Sequence, residues 1–189
     1  MKTILGHHVK ADLEKILFDR EQIAVRIVAL AKEISRDLDE LPEDGEIVLV
    51  SILTGSVIFV ADLIRQLPQK LRIELVTVKS YPGRATESQG AKLIDGIDGS
   101  IEGKHVLIVD DILDSGGTLK LIRDELSKRN PASLRACVLL RKRRPSAMAT
   151  PCEYVGFDIP DVFVVGYGLD FDNYYRNLPV IGTLREEAM

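Results

Sequence analysis

The chain has 189 residues, of which 46% are hydrophobic and 29% are charged, and 25 basic against 29 acidic side chains give a formal net charge of -4. These values are typical of one folded domain and exclude a disordered chain or an overall basic surface for nucleic acid. The amino terminus lacks the apolar run of a signal peptide, and no other run is long enough to span a membrane. Cys137 and Cys152 lack the spacing of a zinc site or a disulfide framework, so we expect a cytoplasmic protein without membrane or nucleic-acid partners.

The first predicted element is a long amphipathic helix. Asp19 and Gln22 have the spacing of a capping box, and apolar residues then recur at helical intervals from Ile23 to Leu38. A β-branched apolar run over 46–53 predicts a buried parallel strand. Helical spacing resumes over 57–67. The strand, the short loop and the helix together predict a βα unit.

The same alternation continues towards the carboxyl terminus. Strands are predicted over 71–80, 105–109 and 134–140, and a helix over 119–129. The segment 81–102 is long for a connection within a compact domain, which is typical of a lid or a mobile hairpin. The pattern predicts an α/β fold with a mainly parallel central sheet flanked by helices, in which ligands bind beyond the carboxyl ends of the strands.

A glycine-rich motif, VLIVDDILDSGGT, occupies residues 106–118. Its glycines allow backbone N–H groups to turn towards a bound phosphate, and its hydroxyls add further donors. The helix that follows directs its positive end towards the same phosphate. Two acids before such a cradle would repel the phosphate unless they bind ribose hydroxyls and share a Mg²⁺. The alternative is a capped turn in which Asp114 holds the helix amino terminus. The candidate residues are Asp110, Asp111, Asp114, Ser115, Gly116, Gly117 and Thr118.

The motif resembles the phosphoribosyl pyrophosphate signature of type I phosphoribosyltransferases, and the chain has no P-loop or Rossmann glycine motif. Residues 155–178, VGFDIPDVFVVGYGLDFDNYYRNL, are similar to the corresponding segment of hypoxanthine-guanine phosphoribosyltransferases. The resemblance implies the type I fold in a single domain, with a core over about 40–150 and a small hood from about 1–18 and 151–189. It also implies a homodimer or homotetramer.

The implied reaction is the Mg²⁺-dependent transfer of 5-phosphoribosyl from phosphoribosyl pyrophosphate to N9 of hypoxanthine or guanine. The products are IMP or GMP and pyrophosphate. By the same resemblance, Asp114 manages the purine N7 proton or only orients the purine, residues 115–118 hold the 5′-phosphate, and Asp110 and Asp111 bind ribose and metal. Lys142 binds O6, which favours a 6-oxopurine over adenine because adenine carries a donor at that position.

The remaining implied roles surround these groups. Phe163 stacks on the purine and Val164 reads its edge through backbone groups, whereas an isolated FVV would be interpreted as core. Asp170 completes a second Mg²⁺ site, and Ser80 with Tyr81 begins the lid. The implied pyrophosphate ligands are Leu53, Thr54, Gly55, Ser56 and Arg176.

Two positions depart from the family pattern, since many members carry lysine where this chain has Thr54 and Val162. The first departure leaves the backbone amides of the loop as the main pyrophosphate ligands. The basic run 141–144 alone is typical of a solvated loop or an oligomer contact. An RNA-binding regulator built on the same fold and an adenine or pyrimidine transferase are the competing hypotheses, and the net charge and Lys142 favour the 6-oxopurine enzyme.

Overall fold

A computed structural model describes residues 11–42, 45–79, 92–95 and 99–189, with the backbone alone at 79 and 92–95. No helix in this described part is long and apolar enough to cross a membrane. The strands are β1 (Leu13–Phe18), β2 (Ile47–Leu53), β3 (Leu71–Lys79), β4 (Lys92–Asp95), β5 (His105–Leu113), β6 (Ser133–Lys142), β7 (Tyr154–Ile159) and β8 (Ile181–Leu184). The helices are α1 (Arg20–Asp39), α2 (Val57–Ile64), α3 (Gly117–Ser127), α4 (Pro145–Met148) and a 3₁₀ turn at Glu186–Ala188.

The main sheet has six strands in the order β4-β3-β2-β5-β6-β7. Strands β3, β2, β5, β6 and β7 are parallel, and β4 alone pairs in antiparallel fashion. The predicted α/β fold with a mainly parallel sheet is therefore confirmed. Alternate residues of β2 point to opposite faces, so Leu49 packs with α1 and α2 while Val48 and Val50 pack with α3.

Helix α1 follows the predicted pattern closely. The Asp19 Oδ1 accepts a hydrogen bond from the Gln22 N–H at 2.8 Å, and the Asp19 N–H donates to the Gln22 Oε1 at 2.9 Å. This capping box satisfies donors that a helix amino terminus leaves free. The apolar stripe is buried against the sheet and consists of Ile23, Ile27, Leu30, Ala31, Ile34 and Leu38.

Several predicted boundaries were wrong, and two of the differences bear on the site. Strand β5 continues to Leu113, because ladder pairing with β6 extends past Asp110 to Leu113 opposite Arg141. Strand β6 likewise continues to Lys142, which pairs with Ile159 of β7. The strand ends were predicted from runs of apolar residues, and these runs stop before the polar residues that end β5 and β6. As a result, Asp110 and Lys142 lie on a rigid sheet instead of loops.

A second, two-stranded sheet joins β1 to β8 in antiparallel pairing. A small apolar cluster that includes Leu13, Val165 and Leu178 packs beside it. Both strands come from the segments predicted to form a hood, and β7, which also lies within 151–189, pairs with β6 in the main sheet. The organisation as one domain with a hood stays a prediction.

Candidate active site

The candidate site lies where the parallel strands end. The chain passes from β2 to β3 on one side and later returns to β5 on the other, so the sheet order reverses between β2 and β5. Ligands bind at such a switch point in open α/β sheets, because the loops leave the sheet in opposite directions there. The loop 53–56 follows β2 and the glycine loop follows β5, so the fold brings these two predicted binding segments together.

The glycine loop forms a small cavity of about 60 Å³ in front of helix α3. Gly116 has a φ of 90°, and a Cβ there would lie 2.1 Å from the Thr150 Oγ1, so this position requires glycine. The backbone N–H groups of residues 115–118 have no acceptor within the described residues. Free N–H groups at a helix amino terminus bind anions, and the cavity therefore fits a phosphate group.

Asp110 and Asp111 lie side by side at the end of β5. The Asp110 Oδ1 accepts from the Asp111 N–H at 3.0 Å, and the Asp111 Oδ1 accepts from the Ile112 N–H at 2.8 Å. Neither carboxylate forms an ion pair with a described residue. Burial raises the pKa of Asp110 well above its usual range, and the adjacent Asp111 charge raises it further. Burial also raises the pKa of Asp111, against the opposing effects of its hydrogen bonds and of Arg176.

Two adjacent carboxylates, one buried and one half-buried, that form no ion pair with a described residue need a positive charge or hydroxyl donors from a ligand. Oxygen donors of this kind suit Mg²⁺, which is bound in proteins through one or two carboxylates together with substrate oxygens and water. No cluster of three or more His, Cys, Asp or Glu in the described ranges could hold a metal ion without such help. The pair therefore fits a Mg²⁺ that arrives with a phosphorylated ribose.

Asp114 has surroundings unlike those of the two preceding acids. Its Oδ2 lies 3.1 Å from the Lys142 Nζ, and its Oδ1 lies 2.5 Å from the Arg144 Nη1. Asp161 also contacts both cations, at 3.5 Å from the Lys142 Nζ and 2.9 Å from the Arg144 Nη2. We call these four residues the charge ring. The capped-turn alternative for Asp114 is wrong, because no side chain caps α3, whose N-cap is Gly116.

Gly55 of the loop 53–56 lies between Asp111 and Gly168. A Cβ on Gly55 would be 1.7 Å from the Asp111 Oδ2, and a Cβ on Gly168 would be 2.1 Å from the Gly55 carbonyl oxygen. Gly168 also has a φ of 101°. The positive φ and the backbone contact require glycine at 168, and a side chain at 55 would displace the Asp111 carboxylate. The two close approaches fix the loop against the acidic end of β5.

The other residues of this loop have separate roles in holding its shape. The peptide bond between Leu53 and Thr54 is cis. The Ser56 hydroxyl is buried and contacts the Ser51 Oγ at 2.8 Å and the Ile52 carbonyl oxygen at 2.5 Å, so it is engaged inside the protein. The backbone N–H groups of Thr54 and Gly55 have no acceptor in the described part of the chain. The prediction that backbone amides form this subsite is consistent with that arrangement.

Arg176 and Asp170 form an ion pair on the opposite side of the loop. The Arg176 Nη2 lies 2.8 Å from the Asp170 Oδ1, and the Arg176 Nη1 donates to the Gly168 carbonyl oxygen at 2.7 Å. The Asp170 Oδ2 accepts from the Asn173 N–H at 2.8 Å. Arg176 also borders a cavity of about 440 Å³ between α1, α2 and the segment 167–179. The guanidinium is thus anchored beside Gly168 and Gly55.

The two predicted purine contacts differ in burial. Phe163 is 48% exposed, and its ring meets the edge of Phe171 with centroids 5.7 Å apart. The alternative of core packing is therefore wrong for Phe163. Val164 is 5% exposed and belongs to the main core, but its backbone N–H and C=O have no hydrogen-bond partner among the described residues. Its side chain packs while its backbone stays available to a ligand.

Some predicted residues stand apart from this geometry, and some site residues escaped prediction. The lid residues Ser80 and Tyr81 lie outside the described residues. Sequence reasoning missed Arg144, Asp161 and Gly168. The interpretation of 141–144 as a solvated loop was wrong for Arg144, which contacts two carboxylates. The charge ring was hard to predict from the sequence, because Asp161 follows β7 whereas Lys142 and Arg144 lie at the end of β6.

Comparisons with known proteins place the chain in a family. Residues 15–172 match the family model described as the phosphoribosyl transferase domain. A hypoxanthine-guanine phosphoribosyltransferase of Mycobacterium bovis is 46% identical over 178 residues, covering 92% of this chain and 87% of that protein. A hypoxanthine phosphoribosyltransferase structure from Staphylococcus aureus has a TM-score of 0.89 at 40% identity, covering 97% of this chain and 98% of that chain.

A further structure similar to this chain contains a nucleotide. The hypoxanthine phosphoribosyltransferase of Trypanosoma cruzi in complex with the product IMP has a TM-score of 0.85 at 42% identity, with coverage of 94% of this chain and 97% of that chain. Fold, sequence and coverage agree across nearly the whole length. The chain therefore belongs to the phosphoribosyl transferase family and, within it, to the hypoxanthine-guanine phosphoribosyltransferases.

Proposed function

We propose that this protein transfers the 5-phosphoribosyl group of phosphoribosyl pyrophosphate to N9 of hypoxanthine or guanine in purine salvage, giving IMP or GMP and pyrophosphate. The observation that carries the proposal is the adjacency of a phosphate-sized cradle, residues 114–118, and the charge ring around Lys142 at the ends of neighbouring strands. A phosphate site alone fits many nucleotides. The cradle with a buried ammonium beside it fits a nucleotide whose base carries an acceptor.

The phosphoribosyl half of the substrate would occupy the glycine loop. The free N–H groups and hydroxyls of residues 115–118 would hold the 5′-phosphate. Asp110 and Asp111 would accept hydrogen bonds from the ribose hydroxyls and share Mg²⁺. When bound, Mg²⁺ supplies charge stabilisation for the departing pyrophosphate. Neither carboxylate forms an ion pair with a described residue, which supports this assignment.

The purine would lie between Phe163 and the charge ring. The exposed Phe163 ring offers a stacking surface, and the unpaired backbone groups of Val164 offer a donor and an acceptor to the base edge. Lys142 would donate to O6, and Asp114 would accept or orient the N7 proton. Adenine presents an amino group to the same ammonium, which leaves two donors facing each other.

The leaving pyrophosphate would contact the loop after β2. The backbone N–H groups of Thr54 and Gly55 are available, and the Arg176 guanidinium stands across Gly168 from them. Asp170 would contribute to a second Mg²⁺ through water, after release from its pair with Arg176. Donors arranged before the reaction stabilise charge that develops on the leaving group. Residues from Ser80 and Tyr81 onward would close over the filled site and exclude water.

The experiment is an assay of purified protein with phosphoribosyl pyrophosphate, Mg²⁺ and one base at a time. We expect turnover of hypoxanthine, guanine or both, no turnover of uracil, and no turnover with Mg²⁺ chelated. In Lys142→Gln, turnover of the 6-oxopurine should fall at least tenfold, by roughly the value of a charge-assisted hydrogen bond, because the charged O6 donor is lost. Turnover of adenine or uracil alone by the natural protein would refute the proposal.

Two accompanying proposals concern the setting of the protein. Cys137 and Cys152 are both free thiols, which supports a reducing compartment such as the cytoplasm. A homodimer or homotetramer is proposed from the family, and light scattering coupled to gel filtration measures the mass directly. The RNA-binding alternative gains no support from the run 141–144, since Arg141, Lys142 and Arg144 each contact an acidic side chain. We propose no nucleic-acid or membrane partner.

A further inference from the structure

The charge ring closes through both oxygens of each acid. Asp114 presents Oδ2 to Lys142 and Oδ1 to Arg144, and Asp161 presents Oδ1 to Lys142 and Oδ2 to Arg144. Two acids and two bases give the ring no net charge. Lys142 is only 8% exposed, so its ammonium interacts more strongly with neighbouring charges than a surface lysine does. Arg144 is the one member that touches both carboxylates with separate guanidinium nitrogens.

The purine base of the substrate would compete with these contacts for Lys142. The Lys142 ammonium donates a hydrogen bond to Asp114 at 3.1 Å, and Asp161 attracts it as an ion pair at 3.5 Å. An O6 acceptor therefore has to attract Lys142 while Asp114 and Asp161 also attract it. Arg144 weakens that competition, because its guanidinium lies against the other oxygen of each carboxylate and offsets part of its negative charge.

We propose that Arg144 is a positioning residue for base recognition: it fixes the Asp114 carboxylate and neutralises Asp161, which leaves Lys142 able to donate to a 6-oxo group. This inference rests on the proposed function. It adds Arg144 and Asp161 to the determinants of the substrate class. Without Arg144, two carboxylates would face a single ammonium, and O6 would bind Lys142 less well.

The backbone around Arg144 is held independently of its side chain. The Arg144 N–H donates to the Lys142 carbonyl oxygen at 2.9 Å, and the Arg144 carbonyl oxygen accepts from the Met148 N–H at 3.0 Å. The Arg143 N–H donates to the Ile159 carbonyl oxygen at 2.8 Å, which joins this turn to the end of β7. The Arg144 side chain is partly exposed. Replacement by glutamine should therefore leave the fold intact.

The test measures the binding of IMP and of ribose 5-phosphate by calorimetry at fixed salt and Mg²⁺. In Arg144→Gln we expect the affinity for IMP to fall about tenfold and that for ribose 5-phosphate to change less than about threefold, since only IMP carries the 6-oxo group. Arg143→Gln is the matched control, because it removes the same charge from an exposed neighbour of the ring. It should leave both affinities within about twofold.

A second variant separates positioning from a structural role. The double variant Arg144→Gln with Asp161→Asn loses one cation and one anion, so one ammonium faces one carboxylate and the charges balance as in the natural protein. We expect the affinity for IMP to recover to within about threefold of the natural protein. Equal losses for both ligands in Arg144→Gln, an unchanged affinity for IMP, or no recovery in the double variant would each overturn the inference. Failure of the natural protein to bind IMP would overturn the proposed function itself and this inference with it.

Discussion

Asp114 has cationic partners, whereas Asp110 and Asp111 have none among the described residues. Three acids within five residues of sequence thus have different surroundings, because β5 ends at Leu113 and the chain then turns towards β6. The pair on the strand is largely shielded from solvent and forms no ion pair with a described residue, which suits hydroxyl and metal ligands. The carboxylate beyond the strand lies beside Lys142, which suits work on the base.

A substitution at Asp114 tests this division of roles. In Asp114→Asn the shape is retained but the carboxylate is lost, so kcat with hypoxanthine should fall at least about a hundredfold if the group handles a proton. Binding of phosphoribosyl pyrophosphate should weaken by less than about threefold. Steady-state kinetics and calorimetry on the same preparation give both values. Comparable losses in kcat and in binding would indicate that Asp114 only positions ligands.

The two cysteines provide a second test on single side chains. Burial raises the pKa of Cys152 to about 11, and Cys137 is fully buried with its pKa also raised by burial. At pH 8 only about a thousandth of Cys152 is then thiolate, which is the form that reacts. Labelling by iodoacetamide should therefore be slow at pH 8 and accelerate as the pH approaches 11.

Mass spectrometry of peptides after timed labelling distinguishes the two thiols. Cys137 should remain unlabelled until the protein unfolds, and both should label rapidly in denaturant, which serves as the control. Labelling of Cys152 in the folded protein at pH 8 as fast as in denaturant would show that burial does not raise the pKa of this thiol.

The loop after β2 depends on contacts between elements that lie far apart in sequence. Gly168 approaches the Gly55 carbonyl, and Gly55 approaches Asp111, so the segment after β7 supports the loop after β2 against the end of β5. Sequence reasoning proposed backbone amides as pyrophosphate ligands but missed Gly168. Its requirement for glycine arises from a tertiary contact and a positive φ, and neither follows from the residues around it.

A pair of glycine variants isolates this contact. Gly168→Ala places a methyl group 2.1 Å from the Gly55 oxygen, so we expect the KM for phosphoribosyl pyrophosphate to rise at least about fivefold, besides a loss of roughly 1–3 kcal/mol of stability. Gly103→Ala is the matched control, because Gly103 has a φ of 68° and nothing within 4 Å of its added Cβ.

Kinetics and urea unfolding of the two variants together decide the outcome. Gly103→Ala should lose about 1 kcal/mol through backbone strain and keep its kinetic constants. An unchanged KM in Gly168→Ala would mean that the loop does not need this support.

The contact between α1 and β7 should make stability depend on pH. The Tyr154 hydroxyl donates to the Asp37 Oδ2 at 2.8 Å, and this hydrogen bond, with the charges of Arg135 and Arg36, lowers the pKa of Asp37 below its ordinary 3.8. A folded-state pKa below the unfolded value stabilises the protein above the unfolded pKa. That stabilisation is lost as the pH falls through the folded pKa.

Tyr154→Phe removes the hydroxyl and keeps the buried ring. The variant should be less stable than the natural protein by about 1 kcal/mol near pH 7, and the difference should shrink below about pH 4. Urea unfolding at pH 3 to 7 measures the difference, and Tyr174→Phe, at a tyrosine that is 69% exposed, is the control. A difference that stays constant down to pH 3 would exclude a contribution from Asp37.

The architecture of the main sheet followed from the sequence because its central strands contain apolar runs. Runs such as residues 47–53 are buried on both faces of a parallel sheet, and this leaves a clear pattern. The irregular segment 162–178 left no such pattern: it has positive φ at Tyr167, Asp172, Asn173 and Tyr175, and its folding depends on contacts with distant strands. Residue roles there came from resemblance to a family, and the contacts came only from the structure.

We expect the cradle and the charge ring together to select a 6-oxopurine as the acceptor of the phosphoribosyl group. The most direct measurement supplies the natural protein with phosphoribosyl pyrophosphate, Mg²⁺ and an equimolar mixture of hypoxanthine, guanine, adenine and uracil. The nucleotide products are then separated and quantified by chromatography with mass spectrometry. We expect IMP, GMP or both to account for nearly all of the product. AMP or UMP as the main product would show that the site does not select a 6-oxopurine.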